Sequence, residues 1–171
     1  SVSFDTQMTY GELDRYALAF AKWLQSLGLP RGFRVALMMP NVPAYLVTLL
    51  GTLRAGGVLV NVNPLYTPRE LQLQIKDSGA SVIVVFENFA HVLEKIEDCD
   101  ALKHRVVVAP GELLGSLKGT LINFVARHIK KIVPRWHLPS ALSLNQVLLV
   151  FELIPPHHQD LSQRDASWCS R

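Results

Sequence analysis

Residues 53–80 read LRAGGVLVNVNPLYTPRELQLQIKDSGA, and they spell the end of one helix, a strand, a turn and a complete second helix. Arg54-Ala55-Gly56-Gly57 stops the first helix, because glycine after the last turn takes positive φ without a Cβ penalty. Val58-Leu59-Val60-Asn61-Val62 is β-branched and lacks a helical period, which predicts a strand buried on both faces. Asn63-Pro64 ends it, since proline has no N–H to give to a ladder. Thr67-Pro68-Arg69-Glu70 then forms a capping box with proline at the first helical position. Gly79 closes that helix.

The flanking text repeats the alternation. Thr9-Tyr10-Gly11-Glu12 is another capping box, followed by Leu13, Ala17, Phe20, Leu24 and Leu27 at helical spacing until Gly28 and Pro30. Tyr16 and Trp23 lie beside that stripe and are assigned to the core. Arg34 to Met39 reads as a strand, and Pro40-Asn41 turns the chain. Asn41 is expected to cap a helix from Val42 to about Arg54 that tolerates Pro43 in its first turn. That helix is apolar almost all round, the pattern of an element covered on several sides. Ser81 to Phe86 is a strand, Phe89 to about Glu97 a short helix, and Arg105 to Ala109 another strand. Strands joined by helix-length crossovers run parallel, and such crossovers are right-handed. The predicted fold is α/β, an open, mostly parallel sheet with helices on both faces.

Composition excludes several function classes. The chain has 171 residues, 49% hydrophobic and 18% charged, with net charge +3, so it is one domain or a piece of a larger one. No dense Lys/Arg stripe with interleaved aromatics occurs, which argues against nucleic acid. Cys99 and Cys169 are far apart and in no C-x-x-C, the usage of a reducing compartment. Ser1 to Thr9 is too polar for a secretory leader, and an opening serine leaves room for residues upstream. The longest apolar tract, Val42 to Leu53, is shorter than the ~20 residues that span a bilayer.

Toward the carboxyl terminus, Leu117 to Val133 sets Leu117, Leu121, Ile122, Val125, Ile129, Ile132 and Val133 on one helical arc. Arg127, Lys130 and Lys131 lie opposite. A basic face against an aliphatic one suits adsorption to anionic lipid, and it equally suits an ordinary surface helix on a sheet. After Gln146 the periodicity fades, so packing is expected to end from about Leu148.

Met8-Thr9-Tyr10-Gly11-Glu12-Leu13 and Leu53 through Pro64, in that order, resemble two core signatures of the adenylate-forming enzymes. From about Met8 to about Gln146 the chain is most similar to the amino-terminal region of bacterial long-chain fatty acyl-CoA synthetases. The resemblance implies a partial amino-terminal domain over residues 1–146 and a divergent, unstructured tail over 147–171. It also implies ATP, Mg²⁺, coenzyme A and a fatty acid as ligands of the full-length family, and a cytoplasmic enzyme peripheral to the inner face of the membrane. In that family a carboxylate attacks the α-phosphate of ATP, and a thiol then displaces AMP from the acyl-adenylate.

The groups that chemistry requires are a Ser/Thr/Gly-rich phosphate loop, a metal-binding carboxylate and a mobile lysine; in the family they lie downstream of the matched region. This chain has no such loop, so no catalytic or cofactor-binding residue is assigned within it. Gly56-Gly57, its only glycine pair, closes a helix rather than opening one, which excludes a dinucleotide fingerprint. The histidines share no metal-ligand spacing, no G-x-S-x-G elbow is present, and a phosphoacceptor receiver would need acidic residues where Phe33-Arg34 stands. Ligands of open α/β sheets sit beyond the carboxyl ends of the strands, here Met39-Pro40-Asn41, Asn61-Val62-Asn63 and Phe86-Glu87-Asn88. Asn41, Asn61 and Asn63 are therefore candidates for a substrate crevice wall, set against the turn and cap roles asparagine has generally. Three functions stay open: a piece of a long-chain fatty acid–CoA ligase, inactive alone; a piece of another acid–thiol ligase; and a non-catalytic module that binds a membrane or a partner.

Overall fold

The computed structural model describes residues 8–96, 101–110, 136–138 and 140–152. Along these the chain runs α1 (Tyr10–Ser26), β1 (Arg34–Met38), α2 (Pro43–Arg54), β2 (Val58–Asn61), α3 (Pro68–Ser78) and β3 (Val82–Phe86). A 3-10 turn (Glu87–Phe89), α4 (Ala90–Glu94), β4 (His104–Val108), β5 (Ala141–Ser143) and α5 (Leu144–Glu152) follow. The five strands form one sheet in the order β2-β1-β3-β4-β5, and every pairing is parallel.

Both predicted capping boxes are present. The Thr9 hydroxyl accepts from the Glu12 N–H while the Glu12 carboxylate accepts from the Thr9 N–H at 2.9 Å, and Thr67 and Glu70 repeat the arrangement at α3. Gly79 ends α3 in the left-handed conformation, φ +63°, with its N–H on the Ile75 carbonyl.

Alternation along the strands sorts the core into two layers, as period-2 geometry requires. Val35, Leu37, Val82, Val84, Phe86, Val106 and Val108 face α1, α2 and α5. Ala36, Met38, Ile83, Val85 and Val107 face α3 and α4, where Leu71, Ile75, Ala90 and Leu93 meet them. Helices thus cover both faces, as the sequence predicts. Tyr16 packs against the first layer and Trp23 is buried within it.

Three expectations are corrected. β2 is not buried on both faces: among the described residues it is an edge strand paired only with β1, and Val58 is 48% exposed. A β-branched run reports strand propensity, whereas sheet order decides what covers it. Asn41 does not cap α2. The N-cap is Val42, in extended conformation and without a side-chain cap, and Pro43 follows inside the first turn. Packing also continues beyond Leu148. Leu144, Val147, Leu148 and Phe151 form one stripe of α5 against the α1 layer, with Leu148 only 2% exposed, and Arg15 Nε of α1 reaches Glu152 Oε1 at 2.8 Å. Residues 153–171, like the Leu117–Val133 segment with Arg127, Lys130 and Lys131, lie outside the described residues.

Candidate functional site

From β1 the chain moves to β2 on one side and then returns past β1 to β3 on the other. A 2-1-3-4-5 sheet therefore has its topological switch point between β1 and β3, and the crevice favoured for ligands lies at their carboxyl ends. Asn41 stands there, three residues beyond the end of β1, exposed. Across from it the chain leaving β3 enters the 3-10 turn with Glu87, 2% exposed. The neighbouring Asn88 carbonyl accepts from His91 Nδ1 at 2.9 Å. The Asn88 Oδ1 is buried and has no hydrogen-bond partner among the described residues.

Asn61 and Asn63 sit one strand away, at the end of β2. The Tyr45 hydroxyl of α2 donates to Asn61 Oδ1 at 2.9 Å, and Gln74 Nε2 of α3 donates to the Asn61 carbonyl at 2.9 Å. Asn61 thereby ties the edge strand to helices on both sides of the sheet. Asn63 Oδ1 accepts the Leu65 N–H at 3.0 Å, and its carbonyl accepts the Tyr66 N–H at 3.1 Å. That is an Asx turn, which reverses the chain before α3. The fold brings the three asparagines to one rim, the carboxyl end of adjacent β1 and β2, yet two of them already make structural bonds.

Sequence reasoning reached Glu87 and Asn88 only as part of a strand end. Their place at the switch point depends on which strand β3 pairs with, a fact that no local pattern carries. Gln74 left no signal at all, because its bond to β2 is long-range.

The rim as described does not fit ATP with Mg²⁺. The left-handed glycines Gly32, Gly56 and Gly79 each precede a strand, so their turns lie at the amino end of the sheet, opposite the ligand end. No group of three or more His, Cys, Asp or Glu side chains that could hold a metal occurs among the described residues. Asn61 and Asn63 at the rim bond to the protein itself rather than converging on an empty position. No described helix is long and apolar enough to cross a membrane.

Residues 1–139 match the family described as AMP-binding enzyme. The chain belongs to that family. Within the AMP-binding enzymes it is 53% identical over 148 residues to the long-chain-fatty-acid–CoA ligase of Escherichia coli O157:H7, covering 86% of this chain and 26% of the ligase. The long-chain-fatty-acid–CoA ligase of Haemophilus influenzae strain Rd is 45% identical over 162 residues, 94% of this chain and 29% of that one. Among solved structures, an anthranilate CoA ligase in complex with anthranoyl-AMP superposes with TM-score 0.66 at 21% identity, over 86% of this chain and 24% of the other. That likeness bears on the fold. The chain spans about a quarter of the length of the curated relatives it matches and is homologous to their amino-terminal part.

Proposed function

We propose that this chain is the amino-terminal quarter of a long-chain fatty acid–CoA ligase and forms no acyl-adenylate by itself. Identity of 53% over 148 residues to a ligase of which it covers 26% carries the reading. The chain supplies one parallel sheet and its two helical layers to the large domain. ATP, Mg²⁺, coenzyme A and the fatty acid bind groups contributed by the rest of the ligase, and Asn41 with the Glu87-Asn88 turn forms part of a wall facing them. Positioned amides, a metal and a cationic side chain supply most of the charge stabilisation in such transfers, which is why the quarter alone is silent. The enzyme acts in the cytoplasm, and Arg127, Lys130 and Lys131 hold it to the anionic inner face of the membrane.

The test is a chimera in which this chain replaces the matched quarter of the Escherichia coli O157:H7 ligase. Acid-dependent pyrophosphate release and acyl-CoA formation with a long-chain acid are expected from the chimera and not from the isolated chain. A folded chimera without either activity, or an isolated chain with pyrophosphate release, overturns the reading. Membrane contact is tested separately: Arg127→Gln, Lys130→Gln and Lys131→Gln together should reduce sedimentation with anionic vesicles at low salt. Each basic residue near such a surface contributes about 1 kcal/mol.

A further inference from the structure

The outer edge of β2 lacks charge and proline, two common safeguards against strand addition. The Val58 and Val62 N–H groups donate to the Phe33 and Leu37 carbonyls at 2.8 and 2.9 Å. In a parallel ladder alternate residues face the same neighbour, so the N–H and C=O groups of Leu59 and Asn61 point away from β1. Among the described residues no strand lies on that side. Residues 58–62 read VLVNV, an uncharged, β-branched segment of the kind that pairs with copies of itself. Such an edge associates unless something blocks it.

Leu71 and Ile75, both fully buried, fix α3 on the sheet, and Gln74 beside them reaches the edge. Its Nε2 donates to the outward Asn61 carbonyl at 2.9 Å. A carbonyl cannot donate, so this bond sets the orientation of the amide. The Gln74 Oε1 is then left buried, without a hydrogen-bond partner among the described residues. A glutamine free in solvent would turn that oxygen to water; here the bond to the edge holds it. We propose that Gln74 guards the β2 edge, its amide occupying the Asn61 acceptor that a second copy of this chain would need to add its own β2. An incoming strand must bring an N–H within hydrogen-bond distance of the same oxygen, and has to displace the amide first. β2 is only four residues long and turns two of them outward, so one occupied acceptor removes much of what pairing could gain. A second copy is the partner excluded because its β2 offers the same uncharged segment, and two such edges can meet about a twofold axis with every contact made twice. The guard operates in this chain whether or not the ligase reading holds.

The test removes the donor in two ways. Gln74→Ala keeps a strong helix former and adds no apolar bulk, whereas Gln74→Met keeps the length of the side chain; neither can donate to Asn61. Gln72→Met, two residues earlier on the same helix, controls for added apolar surface. Amide exchange and light scattering of the full chain are followed against protein concentration. In both Gln74 variants the Leu59 and Asn61 amides should slow by about tenfold or more as concentration rises, and the mass should approach about twice that of the parent. In the parent and in Gln72→Met those amides should be insensitive to concentration, with Val60, which faces β1, as the internal reference. Gln74 variants that unfold cooperatively yet show no concentration dependence at Leu59 and Asn61 overturn the proposal. So does a parent already protected there at high concentration, because the edge is then open despite Gln74. Association that leaves these amides unprotected, or that Gln72→Met shares, places the contact elsewhere and overturns it as well. Failure of both Gln74 variants to fold assigns the residue to the fold rather than to the edge.

Discussion

A Cβ built on Gly51 stands 2.8 Å from the backbone oxygen of Ala17 and 2.8 Å from Cδ1 of Phe20. α1 and α2 therefore meet at backbone distance, and the contact is possible only because position 51 carries no side chain. Gly51→Ala should force the helices apart and destabilise the chain by about 1–3 kcal/mol. Gly11→Ala, in the first turn of α1 with nothing within 4 Å of the added carbon, should be neutral or slightly stabilising. Denaturant midpoints of the two variants check both, and equal midpoints would mean that the helices do not touch at Gly51.

The caps of α1 and α3 make a matched pair. Thr9→Ala and Thr67→Ala should each lower stability by about 1 kcal/mol. The same hydrogen bonds, first from the threonine backbone N–H and then from its hydroxyl, hold the Glu12 and Glu70 carboxyls below their ordinary value of 4.5. A depressed carboxyl stabilises the fold above its unfolded pKa and loses that contribution as pH falls through the folded one. Acid titration of Tm should therefore be shallower below pH 4.5 in the double threonine variant than in the parent.

His104, at the start of β4, meets Trp23 edge-on with ring centroids 6.5 Å apart. Burial, and then the charge of Lys103, push its pKa below 6.5. The folded state therefore resists a proton that the unfolded state accepts. Its contribution is complete above pH 6.5 and is lost progressively as pH falls from there through the folded pKa. The Tm difference between the parent and His104→Gln should change between pH 7 and pH 5, and Trp23 fluorescence should respond over the same interval. A flat difference curve would remove His104 from the account.

Leu148→Ala should destabilise by about 2–5 kcal/mol, the range for truncating a buried leucine. Arg15→Gln, which breaks a partly exposed ion pair to Glu152, should cost under about 1 kcal/mol. Amides of residues 147–151 should exchange slowly in the parent and faster in Leu148→Ala. Fast exchange in the parent would show that α5 is not docked.

Much of the site's surroundings was legible in the sequence because its determinants are local. Thr67-Pro68-Arg69-Glu70 specifies a helix start within four residues, and Gly79 a helix end within one. The rim asparagines were legible as positions, since a strand end followed by proline or a cap is a local pattern. What they bond to was not: Tyr45 reaches Asn61 across 16 positions and Gln74 across 13. α5 was missed although Leu144, Val147, Leu148 and Phe151 recur at helical spacing, because its nine residues make a short repeat soon followed by Pro155-Pro156, while its burial comes from α1 at the other end of the chain.

By itself the sequence determined the parallel α/β class, the caps of α1 and α3, the two-sided apolar character of α2 and the family, since each is written in neighbouring residues or in words shared with relatives. Tertiary structure alone decided that β2 lies at an edge and that the switch point falls between β1 and β3, beside Glu87 and Asn88. It alone showed that α2 buries its small residues and turns Leu46 and Leu53 outward. Strand order and helix orientation follow from the summed packing of segments far apart in the chain, and no single stretch contains that sum.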